Sequence, residues 1–419
     1  METIVKRLES TKGIGKLLDD YYDELRQAPA QGKVVAWTTG AAPLTPLLAM
    51  DIAYQHAPSY AAYCTGRKGS VELLRECENM GYSPEVCSYE KVSNAVALLT
   101  KQGRPIRPDL AIPLPAFVYG GRACPNHSIW SDSIGRILNI PILTVDVPIT
   151  YDDSDYERNI VYVERQLNEV VIPFLENITG RPYNWDKLRE ITKVFRRVTE
   201  LRTECMELFK VVPAPATFFD FAMSMAPVMS LAGRPGTVEY YERFTAELKQ
   251  RVAQKISAVP NEKYRLYWDH IPVWHKIRPI SEKLAGLGAN LVAATYTHGD
   301  SFPCHPDRFD PDKPIRGIAE QCVAQSKFLS SQGKVDFINE CIDEYSLDGL
   351  VFHTHRTCRL FDVGQHDILA TIERKSGVPG VMIEADAVDP AIYNDAQWDV
   401  RLQALLETID AKRRYGVAL

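Results

Sequence analysis

The 419-residue chain has no uncharged apolar run approaching the length of a bilayer span, so no membrane segment is expected. Positive charge is in short supply as well: 48 lysines and arginines face 54 aspartates and glutamates, a formal net charge of −6. A nucleic-acid binder should show a basic face or tail, and nothing here provides one. Small molecules or other proteins are the expected partners. There is no Gly-x-Gly-x-x-Gly, which leaves a nicotinamide site unsupported. There is no Cys-x-x-Cys pair either, so zinc-ribbon and ferredoxin spacings are absent. The segment Met1 to Arg7 leads into charged helical sequence, with neither the apolar core nor the cleavage site of a secretory signal, and a cytoplasmic location is expected.

What is present is a set of nine cysteines in a chain with 45% hydrophobic residues, enough to bury substantial cores over two or three domains. In a reducing compartment these thiols are core filler, metal ligands or nucleophiles rather than a disulfide framework. Cys77, Cys205 and Cys341 lie in helical patterns and read as filler. Three others stand beside backbone punctuation. Cys358 closes Leu350-Val351-Phe352-His353-Thr354-His355-Arg356-Thr357-Cys358, a short apolar run ending in a polar turn, where open α/β sheets place their ligands. Cys87 (after Pro84) and Cys124 (after Gly120-Gly121, before Pro125) are placed at comparable edges. Three thiols on three loops could converge on one metal centre, and separate buried thiols are the alternative. Cys304-His305 with Cys322 could bind zinc, although no fourth ligand is evident.

Along the chain, short apolar runs bounded by Gly and Pro alternate with helical patterns: Lys33 to Trp37, a helix from Ser70 to Met80, Leu110-Ala111-Ile112, then Ile140 to Asp146. From about Tyr156 to Lys255 the period becomes helical, as in Ile160, Val163, Leu167, Val170 and Val171. Strand-like runs return at Lys263 to Trp268, Ala289 to Ala294, Gly349 to Phe352 and Gly380 to Ile383. The expectation is an α/β protein with two Rossmann-like (flavodoxin-like) parallel-sheet domains, residues 1–150 and 260–419, around a helical insert at 151–259. The loop Thr38-Thr39-Gly40-Ala41-Ala42-Pro43 follows a strand and could cradle a phosphate or acyl oxygen through its N–H groups. Gly13-Ile14-Gly15 follows no strand and reads as a break in the first helix. His353 and His355 are taken to point to opposite faces, one structural and one able to reach a pocket.

The segments Gly69 to Leu73, Gly81 to Tyr89, the Cys124 loop, Lys263 to Leu266, His353 to Cys358 and Ile383 to Pro390, with Gln397 and Arg401, occur in one order from about Val34 to the C-terminus. In that order they resemble the 2-hydroxyacyl-CoA dehydratase and benzoyl-CoA reductase subunit family. The resemblance implies two related subunits that pair, with a [4Fe-4S] cluster on three cysteines between the α/β domains. Cys87, Cys124 and Cys358 fall on those ligand positions. It also implies an acyl-CoA substrate and a separate ATP-dependent iron–sulfur activator that delivers electrons singly. A cube held by three thiolates leaves one iron open, able to act as a Lewis acid on a thioester carbonyl while a ketyl radical anion forms. From that radical a 2-hydroxyacyl ester loses hydroxide on the way to an enoyl-CoA, whereas an aromatic ester takes up a proton, a second electron and a further proton to give a cyclic diene.

The loop that usually reads Pro-Glu-Asn in the dehydratases corresponds to Ala57-Pro58-Ser59-Tyr60, without the acid. Val170 to Phe174, Val238 to Tyr241, Phe309 to Pro314, Gly364-Gln365 and Ile383 to Asp386 look closer to the reductases; Trp37-Thr38-Thr39 and His353 to Arg356 look closer to the dehydratases. The balance leans to a benzoyl-CoA reductase-type subunit. The alternatives are a subunit of an (R)-2-hydroxyacyl-CoA dehydratase and a non-catalytic electron-relay or structural subunit. Thr38, Thr39 and Arg356 are expected to bind substrate around the open iron, and His355, near Cys358, is the candidate proton donor, with orientation of the cysteine loop as its other possible role.

Overall fold

The computed structural model describes residues 4–40, 42–104, 106–122, 124–300, 305–327 and 330–416. Its frame is a pair of four-stranded sheets. The first contains β1 (Val35–Thr38), β2 (Ala53–His56), β3 (Phe117–Gly121) and β4 (Ile142–Val145), in the order β2-β1-β3-β4. The second contains β5 (Tyr264–Asp269), β6 (Ala289–Ala294), β7 (Gly349–His355) and β8 (Gly380–Ala385), in the order β6-β5-β7-β8. All six strand pairings are parallel, and the two sheets are wound alike. This is the expected α/β class with two parallel sheets. Every residue of β1, β5 and β6 is buried, because crossover helices cover both faces of a parallel sheet and remove the polar alternation of a half-exposed strand.

Two strands differ from the expectation. Leu110-Ala111-Ile112 is not extended: the Leu110 and Ala111 amides bond back to the Arg107 carbonyl, and Pro113 and Pro115 lack the N–H groups a ladder needs, so the strand forms only at Phe117. β2, with polar Gln55 and His56 in a run of four residues, carries too little apolar signal to stand out, yet it pairs with β1 residue for residue, Trp37 opposite Gln55.

Between β4 and β5 the described residues form helices, the longest being Trp185–Phe209 and Pro235–Ala253. One apolar core runs from the first sheet (Trp37, Val118) through this segment (Val163, Phe195, Phe244) to one face of the second sheet (Tyr267, Phe352). The other face of the second sheet packs Leu266 and Val351 against Leu402, Leu405 and Ile409 of the C-terminal helix Asp395–Tyr415. Buried Arg265 on β5 anchors the long helix: its Nη2 donates to the Phe209 carbonyl at 2.9 Å and its Nε to the Tyr345 carbonyl at 2.7 Å, while Glu262 accepts from Nη1 at 2.7 Å. A helix's last carbonyls have no intrahelical donor, and a buried guanidinium supplies one. No helix among the described residues is long and apolar enough to cross a membrane.

The C-terminal end of β5 is held by a second buried charge. The Asp269 carboxylate accepts Lys334 Nζ at 2.9 Å, Thr295 Oγ1 at 2.6 Å and Gln365 Nε2 at 2.8 Å, drawing three elements of the second α/β unit to one point. Removing one member of a buried ion pair strands the other. Lys334→Met is expected to lower the unfolding free energy by roughly 3–5 kcal/mol in chemical denaturation; a loss under about 1 kcal/mol, the scale of an exposed pair, would contradict this role.

Candidate functional site

In an open parallel sheet the ligand site lies beyond the carboxyl ends of the strands, where the strand order reverses. Here those ends share one cavity of about 610 Å³. Gly40 after β1, His56 at the end of β2, Cys124 after β3, His270 after β5, Tyr296 after β6 and Cys358 after β7 all line it. The site thus belongs to both α/β units at once.

Cys87, Cys124 and Cys358 all face this cavity, and each is the residue that opens a helix: Ser88–Lys101, Pro125–Leu138 and the short turn Arg359–Asp362 respectively. Cys124 and Cys358 stand equally far beyond the equivalent strands β3 and β7. Cys87 differs from its expected setting: it follows no strand and sits between the helices Ser70–Asn79 and Ser88–Lys101 in the β2-to-β3 crossover. None of the described cysteines forms a disulfide. Burial pushes the Cys87 thiol up to about 12, opposed by the first-turn amides of Glu90 and Tyr89 and reinforced by the nearby Cys124. Burial likewise raises Cys358 well above its ordinary value, with Cys87 and Cys124 adding to the shift and the Phe361 amide opposing it. The mutual influence places the three sulfurs around one space. Among the described residues, no three His, Cys, Asp or Glu side chains close in tightly enough to grip a single ion. Thiolates are the donor type that iron–sulfur clusters take, one sulfur to each iron.

Four imidazoles, of His56, His127, His270 and His355, border the cavity, together with Arg67, Arg359, Asn126, Gln321 and Gln325. β7 persists through His355, so His353 and His355, two residues apart, share a face; the expectation of opposite faces is corrected by strand periodicity itself. Their ring centroids are 5.6 Å apart, and His270 lies 5.3 Å from His353 and 5.2 Å from His355. His353 is the structural member, its Nδ1 2.9 Å from the Ile271 carbonyl. His355 lines the cavity, with Nδ1 3.4 Å from Asp386 Oδ2 and 3.3 Å from Thr357 Oγ1. His270 has a left-handed backbone, φ 83°, a costly conformation for a residue with a Cβ and one that concentrates at functional sites. Its Nδ1 accepts the Ile271 N–H at 2.8 Å, and its buried Nε2, 3.8 Å from Asp362 Oδ1, has no hydrogen-bond partner. Burial drives His270 well below the usual imidazole range, His56 to about 3 and His127 to about 4, so all three are neutral at pH 7. Burial raises the Asp362 carboxyl to about 7. Asp386 runs the other way: burial would raise it, but the neighbouring His355 ring and the Val388 and Asp389 amides outweigh burial and hold it low. His127 packs so closely on Gly40 that a Cβ there would sit 2.4 Å from its Cε1, so glycine is required at that position.

The remaining expected residues lie elsewhere. Thr38 and Thr39 are fully buried, Thr38 Oγ1 donating to the Gln55 carbonyl at 3.3 Å and Thr39 Oγ1 lying 3.3 Å from Ser131 Oγ. Arg356 is exposed and paired with Glu384 at 2.7 Å. None of the three lines the cavity. Cys77, Cys205 and Cys341 are buried within helices. Of the zinc alternative, Cys304 lies outside the described residues, and Cys322 contributes to the cavity wall.

Residues 40–409 match the family described as 2-hydroxyglutaryl-CoA dehydratase, D-component. The chain belongs to that family. Among its relatives, the lactoyl-CoA dehydratase subunit alpha of Anaerotignum propionicum is 26% identical over 399 residues, covering 93% of each chain. The (R)-2-hydroxyisocaproyl-CoA dehydratase alpha subunit of Clostridioides difficile is 26% identical over 412 residues and 98% of each chain. A benzoyl-CoA reductase subunit of Thauera aromatica is also 26% identical, over 405 residues, 94% of this chain and 92% of that one. The span matched to the dehydratase D-component family contains Cys87, Cys124 and Cys358 and every strand except β1.

Reading the sequence alone missed His56, His127, His270, Asp362 and Asp386. His127, in Cys124-Pro125-Asn126-His127, and His270, directly after β5, carried a usable signal, since both follow strands within a few residues. The raised thiols give a direct expectation. In metal-free protein Cys87 and Cys358 should alkylate slowly at pH 7.5, read by peptide mass spectrometry, with rates rising about tenfold per pH unit as thiolate forms. Labelling as fast as that of an exposed thiol would contradict the buried, protonated state.

Proposed function

We propose that this chain is the iron–sulfur subunit of an anaerobic CoA-thioester enzyme, with a [4Fe-4S] cluster on Cys87, Cys124 and Cys358, acting on an aromatic acyl-CoA in the manner of a benzoyl-CoA reductase. The observation that carries the reading is the meeting of three cysteine-capped helix starts at one buried cavity, in a chain whose relatives are named as CoA-thioester dehydratase and reductase subunits. A cluster held by three cysteines would supply a low-potential electron site with one iron open as a Lewis acid. The thiols must lose their protons to bind it, so binding releases protons and weakens as pH falls.

The chain's own residues then have definable tasks. Among the described residues the cavity lining lacks Asp, Glu and Lys and carries charge at Arg67 and Arg359, while Met223, Met225, Met229, Leu18 and Val228 form an apolar part of its wall. Thioether and aliphatic side chains of this kind suit an uncharged ring. Neutral His56 and His127 can donate a hydrogen bond without bringing charge. His355 is the proposed proton donor: buried Asp386 fixes one ring nitrogen while the ring borders the cavity. The reading brings with it a homologous partner subunit, in keeping with the naming of the relatives as single subunits of their enzymes, and an ATP-hydrolysing iron–sulfur activator.

A dehydratase reading is favoured by the names of two relatives as similar to this chain as the reductase. The product decides between them. Anaerobic protein with its partner, activator, ATP and dithionite as electron source should convert benzoyl-CoA to a cyclic dienoyl-CoA; enoyl-CoA from lactoyl-CoA with no ring reduction would overturn the reductase assignment. At full iron content, His355→Gln should lower turnover by roughly a hundredfold or more, the scale of general acid catalysis. Unchanged turnover would remove His355 as the donor.

A further inference from the structure

The cysteine loops come from two separately wound units, and the Thr357 hydroxyl ties one to the other. Thr357, buried between β7 and Cys358, accepts the Ser88 N–H on Oγ1 at 3.2 Å and donates to Asp386 Oδ2 at 2.9 Å. Ser88 follows Cys87 and opens its helix, so this N–H is one of the amides that a helix start leaves without an internal acceptor. The acceptor comes from the other unit, at the residue preceding Cys358. Asp386 is itself immobilised: Oδ1 accepts the Val388 and Asp389 amides, each at 2.9 Å, and its carbonyl lies 3.0 Å from His275 Nε2. The turn is closed by the Cys358 N–H on the His355 carbonyl at 2.7 Å. Ser70 Oγ, bonded to the Val388 carbonyl at 2.8 Å, continues the same seam.

We infer that Thr357 is a positioning residue that sets the separation of Cys87 and Cys358 across the seam, by clamping the Ser88 amide against the Asp386-fixed turn. The inference rests on the reading of these thiols as cluster ligands. Valine has the shape of threonine but neither donor nor acceptor, so Thr357→Val removes the acceptor of the Ser88 N–H and the Thr357 donor to Asp386 Oδ2. Serine keeps the hydroxyl and restores both bonds.

Two measurements on the full-length chain separate the tie from its consequence. In metal-free protein, hydrogen exchange of the Ser88 amide should be slow in wild type and Thr357→Ser and faster in Thr357→Val. After anaerobic reconstitution with iron and sulfide, loss of iron to a chelator should be roughly 10–100-fold faster in Thr357→Val, the usual cost of removing an outer-shell partner of a metal ligand. Thr357→Ser should stay near wild type. Unchanged Ser88 exchange in the valine variant overturns the tie. Faster exchange with unchanged iron loss, or serine behaving like valine, overturns the positioning role. A wild-type chain that takes up no iron while the exchange difference persists defeats the cluster reading and, with it, the purpose assigned to the tie.

Discussion

The constraint on which the rest of this structure depends is that three cysteines reach one cavity from two units whose sheets are wound independently. Neither unit can make the site alone: Cys87 and Cys124 belong to the first, Cys358 to the second. The seam between them therefore has to be as well defined as a core. It is held by an apolar cluster continuous from the first sheet through the helical segment to the second, and by specific polar ties where the cysteines emerge. Net hydrogen-bond contributions near 1 kcal/mol each are small beside that apolar burial. The burial holds the units together, and the polar ties fix their register.

Burial also sets the chemistry. A thiol, imidazole or carboxyl taken out of water is pushed toward its neutral form, and the cavity shows this in Cys87, Cys358, His56, His127, His270 and Asp362. Asp386 is the exception: backbone amides and His355 keep it charged where a fixed anion can orient an imidazole. Metal binding at this cavity would turn the raised, protonated thiols into ligands.

Much of this was legible in the residues. Gly- and Pro-bounded apolar runs marked β1, β4 and all four strands of the second sheet, and the change to a helical period marked the segment between the sheets, because parallel strands are buried on both faces and amphipathic helices are not. The strand before Cys124 was placed too early because Leu110 to Ile112 is apolar for another reason: it fills space beneath a turn rather than pairing. Cys124 and Cys358 stood out through the strands they follow. The histidines did not, since His56 and His127 acquire their meaning only when loops distant in sequence fold onto one cavity. Thr38 and Thr39 sit beside the right strand end, but their hydroxyls are spent inside the sheet layer, a distinction that depends on side-chain direction, which proximity in sequence does not report.

The most direct test of this account is the iron and acid-labile sulfide content of the full-length chain purified without oxygen, for wild type and for single alanine replacements. The account predicts about four irons per wild-type chain, loss of most of the iron and of the brown colour on replacing Cys87, Cys124 or Cys358, and full retention on replacing Cys77 or Cys341. A complete cluster in any two of the first three variants, or a wild-type chain without iron, would contradict it.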